Sequence, residues 1–152
     1  MHELDKASAI EPDHPLIKIV RVFILYYRGE VAAAASLVRE VLASHPQMDS
    51  VRPWLAICLS RQGQHEAARA ELTEQVKVSA AIDPDIAYWL ASAYALEGER
   101  EEAFKWLERA INLGREDRTW FEVDPDWESL RNEPRFTELM SRIKPARTGS
   151  EG

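Results

Sequence analysis

Apolar side chains return along this chain at helical spacing, in blocks of about a dozen residues closed by glycine or proline. The pattern predicts six helices, over 16–28, 31–44, 50–62, 65–79, 84–97 and 100–113. They fall into three pairs, each pair divided by one glycine: Gly29, Gly63 and Gly98, which stand 34 and 35 residues apart. Small and apolar residues keep fixed distances from these glycines. Ala34, Ala68 and Ala103 lie five residues after, Leu25, Leu59 and Tyr94 four before, Val22, Ala56 and Ala91 seven before, and Val38, Leu72 and Leu107 nine after. A repeated period of about 34 residues, with a helix on either side of a glycine turn, is the pattern of stacked helical hairpins. The implied architecture is all-α.

The punctuation agrees with that division. Pro15 and Pro46 bracket the first pair, and Asp83 with Pro84 gives the third pair an N-cap followed by proline at the first helical position. The alanine run in VAAAASLVREVL lets neighbouring helices approach closely at little side-chain entropy cost. Beyond Leu113 the pattern changes. Asp124 with Pro125 and Glu133 with Pro134 predict two short helices, whose apolar face would be Trp120, Phe121, Trp127, Leu130, Phe136, Leu139 and Met140, covering Phe104 and Trp106. Ahead of the first pair, Ala7 and Pro12 precede Val41 and Pro46 by 34 residues, so 1–14 reads as a partial preceding repeat or leader, and the chain as a piece of a longer protein. The tail 145–152 is expected to be disordered.

Composition changes the picture only by exclusion. With 152 residues, 45% hydrophobic and 30% charged, the chain belongs among ordinary globular domains. Its net charge of -7 argues against nucleic acid, which needs a surplus of lysine and arginine on one face. The most apolar run, 16–27, is interrupted by Lys18 and Arg21 and is too short to span a bilayer, so no membrane is expected. The start lacks the basic and apolar regions of a secretory leader, and one cysteine, Cys58, fits a reducing compartment. A cytoplasmic location is therefore expected.

Catalytic chemistry is equally thin. His2, His14, His45 and His65 are dispersed without carboxylate or cysteine at ligand spacing, so no metal site is expected. Cys58 sits among Leu55, Ala56 and Leu59, the setting of a buried thiol rather than a nucleophile. Glu97, Glu99, Glu101 and Glu102 surround a helix start and read as a solvated face complementing the helix dipole. Neither a glycine-rich phosphate loop nor a nucleophile–base constellation is present, so no cofactor and no enzymatic activity are expected.

The segment DPDIAYWLASAYALEGEREEAFKWLERAINLG resembles a tetratricopeptide repeat, with Leu90, Ala91, Tyr94, Gly98, Ala103, Leu107 and Ala110 at the family's packing positions. The second unit keeps Leu55, Ala56, Leu59, Gly63, Ala68 and Leu72, with Gln75 where a small residue is usual. The first keeps Val22, Leu25, Gly29, Ala34 and Pro46, with Arg21 where an apolar residue is usual. The resemblance covers 15–113, divided 15–48, 49–83 and 84–113. It implies a right-handed α–α superhelix of three hairpins, followed by capping helices over 114–144. The stretch DPDWESLRNEPRF is similar to the tail after tetratricopeptide arrays in bacterial multidomain signalling proteins.

In such arrays the first helix of each hairpin lines a concave face. Projecting the register gives Ile19, Phe23, Tyr26 and Tyr27, then Pro53, Ile57, Ser60 and Arg61, then Tyr88, Ser92, Ala95 and Leu96. The core of the candidate protein-binding groove is Ile19, Phe23, Tyr26, Tyr27, Ile57, Arg61, Tyr88 and Ser92. Spacing alone does not separate groove from packing for Phe23 and Tyr26, and Trp54 and Trp89 read as wedges between helices. The family's carboxylate clamp needs lysine and asparagine donors that these positions lack, leaving Arg61 alone. The expected ligand is an apolar peptide or helix of a partner protein. The alternative is self-association, a homodimer through the apolar helix 16–28.

Overall fold

The structure, a computed structural model, describes residues 14–143 of the chain. The readings of 1–13 and of the tail 145–152 lie outside these residues. Among the described residues there are helices and no strands. In chain order they are α1 (Pro15–Tyr27), α2 (Val31–Ser44), a 3₁₀ turn (Asp49–Val51), α3 (Arg52–Arg61), α4 (His65–Ala70), α5 (Glu74–Ala80), α6 (Pro84–Leu96), α7 (Arg100–Asn112), α8 (Arg118–Val123), a second 3₁₀ turn (Pro125–Trp127) and α9 (Pro134–Ser141). Contacts divide the chain into two compact units, with the boundary between Thr73 and Glu74.

The repeated positions explain the hairpins. Of the twelve side chains that recur around the glycines, eleven are buried and Leu25 is half-buried. Each hairpin closes in the same way. After α1, Gly29 takes φ +86°, its N–H donates to the Tyr26 carbonyl at 3.0 Å, and the Glu30 N–H donates to the Leu25 carbonyl at 2.9 Å. This pair of bonds satisfies helix-end carbonyls, and it needs a left-handed residue that glycine adopts without a Cβ clash. The residue four before each glycine is thus the carbonyl on which the turn closes.

In the first unit, α1 packs on α2, α2 on α3 and α3 on α4. His14 caps α1 by accepting the Leu16 N–H on Nδ1 at 3.1 Å, and Pro15 begins the helix. The expected helix over 65–79 is a correction: it is broken into α4 and α5 at 71–73. There the Glu71 and Leu72 N–H groups donate to Ala68 and Arg69, three residues back instead of four. Glu71 is also taken by the Arg52 guanidinium at 2.9 Å, which holds Asp49 at 2.7 Å as well.

In the second unit, α5 and α7 pack on α6. Asp83 caps α6 by accepting the N–H groups of Asp85 at 2.8 Å and Ile86 at 3.2 Å. The C-terminal segment packs back through its second 3₁₀ turn onto α6 and through α9 onto α7. Phe121, Trp127, Leu130, Phe136, Leu139 and Met140 are buried as the apolar pattern requires, while Trp120 stays half-buried. Phe104 meets Trp127 at 6.2 Å between ring centroids.

Candidate functional site

Aromatic residues gather in one cluster in each unit, and the two differ in what they leave open. In the first unit Trp54 of α3 is the hub. Phe23 lies 4.9 Å from it, Tyr26 5.2 Å and Tyr27 6.1 Å, the two tyrosines edge-on. Edge-on and tilted ring pairs are the favoured arrangements, so the cluster is a firm platform. Arg61, at the end of the same helix α3, donates from Nε to the Tyr26 phenol oxygen at 2.8 Å, and its guanidinium stands 5.9 Å from that ring's centroid. Tyr26 and Trp54 are buried; Tyr27 is 40% exposed.

The exposure continues along α1. Leu16 is 62% and Val20 42% exposed, and Phe23 is half-buried between them and Tyr27. At roughly 100° per residue, Leu16, Val20, Phe23 and Tyr27 share about 60° of arc on the helix. The two charged residues of α1, Lys18 and Arg21, fall outside that arc, and Lys18 is buried with its ammonium 3.0 Å from Glu40. The result is an uncharged apolar stripe, continuous with the Trp54 platform.

The eight groove residues read from the sequence separate accordingly. Phe23 and Tyr27 lie on the open stripe, and Arg61 is exposed beside it. Ile19, Tyr26 and Ile57 are buried at 6%, 5% and 1%, on the packing side of their helices, and offer no groove surface. Tyr88 and Ser92 of α6 are also buried, inside the second unit. Leu16 and Val20 were missed by projecting the repeat register, although their spacing with Phe23 and Tyr27 was available in the sequence.

Tyr88 shows why its position is closed. Its ring stacks on Phe121 at 4.7 Å and faces Trp127 at 6.4 Å. The Arg115 guanidinium covers it 4.7 Å from the centroid. Its hydroxyl donates to the Asp124 carboxylate at 2.5 Å. Asp124 is fully buried, accepts the Asp126 N–H at 3.0 Å on its other oxygen, and so joins α6 to the second 3₁₀ turn. Arg115 is itself held by Asp117 at 2.9 Å, and that ion pair keeps the Asp117 carboxyl below its ordinary range. Every recorded side of Tyr88 is filled by its own unit.

Among the described residues no group of three or more His, Cys, Asp or Glu is placed to hold a metal ion, and no helix is long and apolar enough to cross a membrane. The helical hairpins and the aromatic face define a helical-repeat protein. Residues 25–80, from the end of α1 to the end of α5, match the tetratricopeptide repeat model. Repeats of this family mediate protein–protein interaction. No curated protein and no solved structure matches the chain.

Proposed function

We propose that this chain is a docking module whose first unit receives an apolar segment of a partner protein, in helical form, along Leu16, Val20, Phe23 and Tyr27. The observation that carries the reading is the uncharged stripe on α1, three of whose side chains are 40% or more exposed. An amphipathic helix with apolar residues at three- and four-residue spacing would lay its face against it, and Trp54 beneath Phe23 keeps the platform rigid. Rigid aromatic anchors cost little entropy on binding. The partner's chemistry is apolar rather than acidic, because the stripe carries no cation and Arg61 is engaged with Tyr26. A role within a larger bacterial signalling protein, suggested by the DPDWESLRNEPRF tail, and a cytoplasmic setting belong to the same proposal.

Selection of peptides from a random displayed library tests it. Selected sequences should carry apolar residues at helical spacing, and Val20→Asp and Tyr27→Ala should each weaken them at least about tenfold with circular dichroism unchanged. Peptides that bind both variants as well as the parent would overturn the reading. The same stripe also supports self-association of two copies through α1. Sedimentation that depends on concentration, and loses that dependence in Val20→Asp, would put this second reading in place of the first.

A further inference from the structure

The stripe on α1 has counterparts in the later hairpins, and those counterparts are covered. Val20 stands nine residues before Gly29, as Trp54 does before Gly63 and Trp89 before Gly98; Phe23 stands six before, as do Ile57 and Ser92. Val20 is 42% exposed, whereas Trp54 is 3% and Ile57 and Ser92 each 1%; Trp89 is half-buried. The register is the same and the burial is not. In the second hairpin the cover is the hairpin before it. Phe23, Tyr26 and Tyr27 of α1 lie against Trp54, and α2, whose buried side chains are Ala34, Ala35, Val38 and Val41, packs on α3. Arg61, two residues before Gly63, donates to the phenol oxygen of Tyr26, three before Gly29.

The first helix of the second hairpin thus carries a face that a preceding hairpin fills, as stacked repeats require. We propose that the α1 stripe is a receiving face of the same kind, and that its occupant is a two-helix hairpin presented by a partner protein. This rests on the reading of the stripe as a docking surface and narrows the partner from a lone helix to a hairpin in register with this chain's own. The contacts inside the first unit give the partner's chemistry. Its first helix carries large aromatic or aliphatic side chains six, three and two residues before its turn, the positions of Phe23, Tyr26 and Tyr27, and these lie over Val20. Its second helix is rich in small residues, so that it approaches α1 as closely as the alanine-rich α2 approaches α3. Charges at these positions are excluded, because they would be buried against Leu16, Val20 and Phe23 without a partner. A second copy is a poor source of the hairpin: the covering side of its first hairpin already lies on its own α3, and its C-terminal segment packs on α6 and α7.

The test is a tandem chain in which residues 15–48 are repeated once, immediately ahead of Pro15, so that the inserted hairpin precedes the native one by 34 residues. The insertion offers the stripe of the native copy the same side chains that cover Trp54. The urea midpoint should rise by about 1 M, in a single transition. Val20→Asp in the native copy should abolish the gain. The same change in the inserted copy, which receives no hairpin, should leave the gain in place and so controls for helix propensity. A tandem chain with an unchanged midpoint, or one that loses its gain equally with either substitution, would overturn the proposal. So would a parent chain whose midpoint falls markedly on Val20→Asp. A fall at every concentration would mean that another stretch of the same chain covers the stripe, and a fall confined to high concentration that a second copy does. Single-helix peptides that bind the stripe while the tandem chain gains nothing would keep the docking surface and remove the hairpin; failure of both would remove both.

Discussion

The two units use the same residue type to opposite ends. In the first, Tyr27 stands at the rim of the Trp54 cluster with much of its ring exposed; in the second, Tyr88 lies beneath Phe121, Trp127 and Arg115 with its hydroxyl locked on Asp124. The cause is the presence or absence of a covering segment. The second unit has a C-terminal stretch rich in aromatic residues that folds back over α6, and the α1 stripe has no comparable cover among the described residues. An aromatic ring on a first helix thus becomes buried or exposed according to its neighbours, and the repeat register does not decide which.

The contrast can be broken most forcefully at Trp127. This side chain is fully buried between Tyr88, Phe104 and Phe136, so Trp127→Ala should destabilise by about 3–5 kcal/mol, seen as a lower urea midpoint. A loss below about 1 kcal/mol would mean that the segment is not part of the core. Next comes the buried Tyr88–Asp124 bond. Tyr88→Phe keeps the ring stack but strips one partner from a buried carboxylate, and should cost about 1–3 kcal/mol. Tyr27→Ala in the first unit removes a ring that is 40% exposed and edge-on to Trp54, and should cost about 1 kcal/mol, well below Trp127→Ala, while weakening bound peptide. If Tyr27→Ala destabilised as much as Trp127→Ala, the distinction between the clusters would collapse.

The smallest effect concerns acid. Asp117 is held below its ordinary value of 3.8 chiefly by its hydrogen bond from Arg115. A carboxyl depressed in the folded state contributes stability above its unfolded value, and that contribution disappears as pH falls through the folded value. Asp117→Asn should therefore flatten the pH dependence of the urea midpoint below about pH 4 and leave it alone near neutrality. The exposure of Asp117 keeps the change small.

How much of this was legible in the chain can be argued residue by residue. The glycine turns were, because a left-handed helix end asks for glycine and the carbonyls that close it lie at fixed distances, whatever else the chain does. The caps at Asp83 and Pro84 were legible for the same local reason. The break at 71–73 was not: the apolar period runs on through Leu72 and Val76, while the break coincides with a tertiary bond to Glu71 from Arg52, 19 residues earlier. Helix α8, six residues long, also escaped, since so short a helix depends on packing around Phe121 rather than on propensity. Periodicity put Phe23, Tyr27 and Tyr88 on one face; the structure leaves the first two at least partly accessible and buries Tyr88. Both faces of α6 are apolar enough that only the packed neighbours tell them apart.

Cys58 is the chain's single sulfhydryl, with no exposed surface, in the middle of α3. A maleimide or iodoacetamide reagent can reach it only while α3 is released from its neighbours, so the alkylation rate is a stopwatch for fluctuations of the first unit alone. Two natively folded copies, equally, cannot be joined through this sulfur. A covalent dimer on a non-reducing gel would mark molecules that had already come apart.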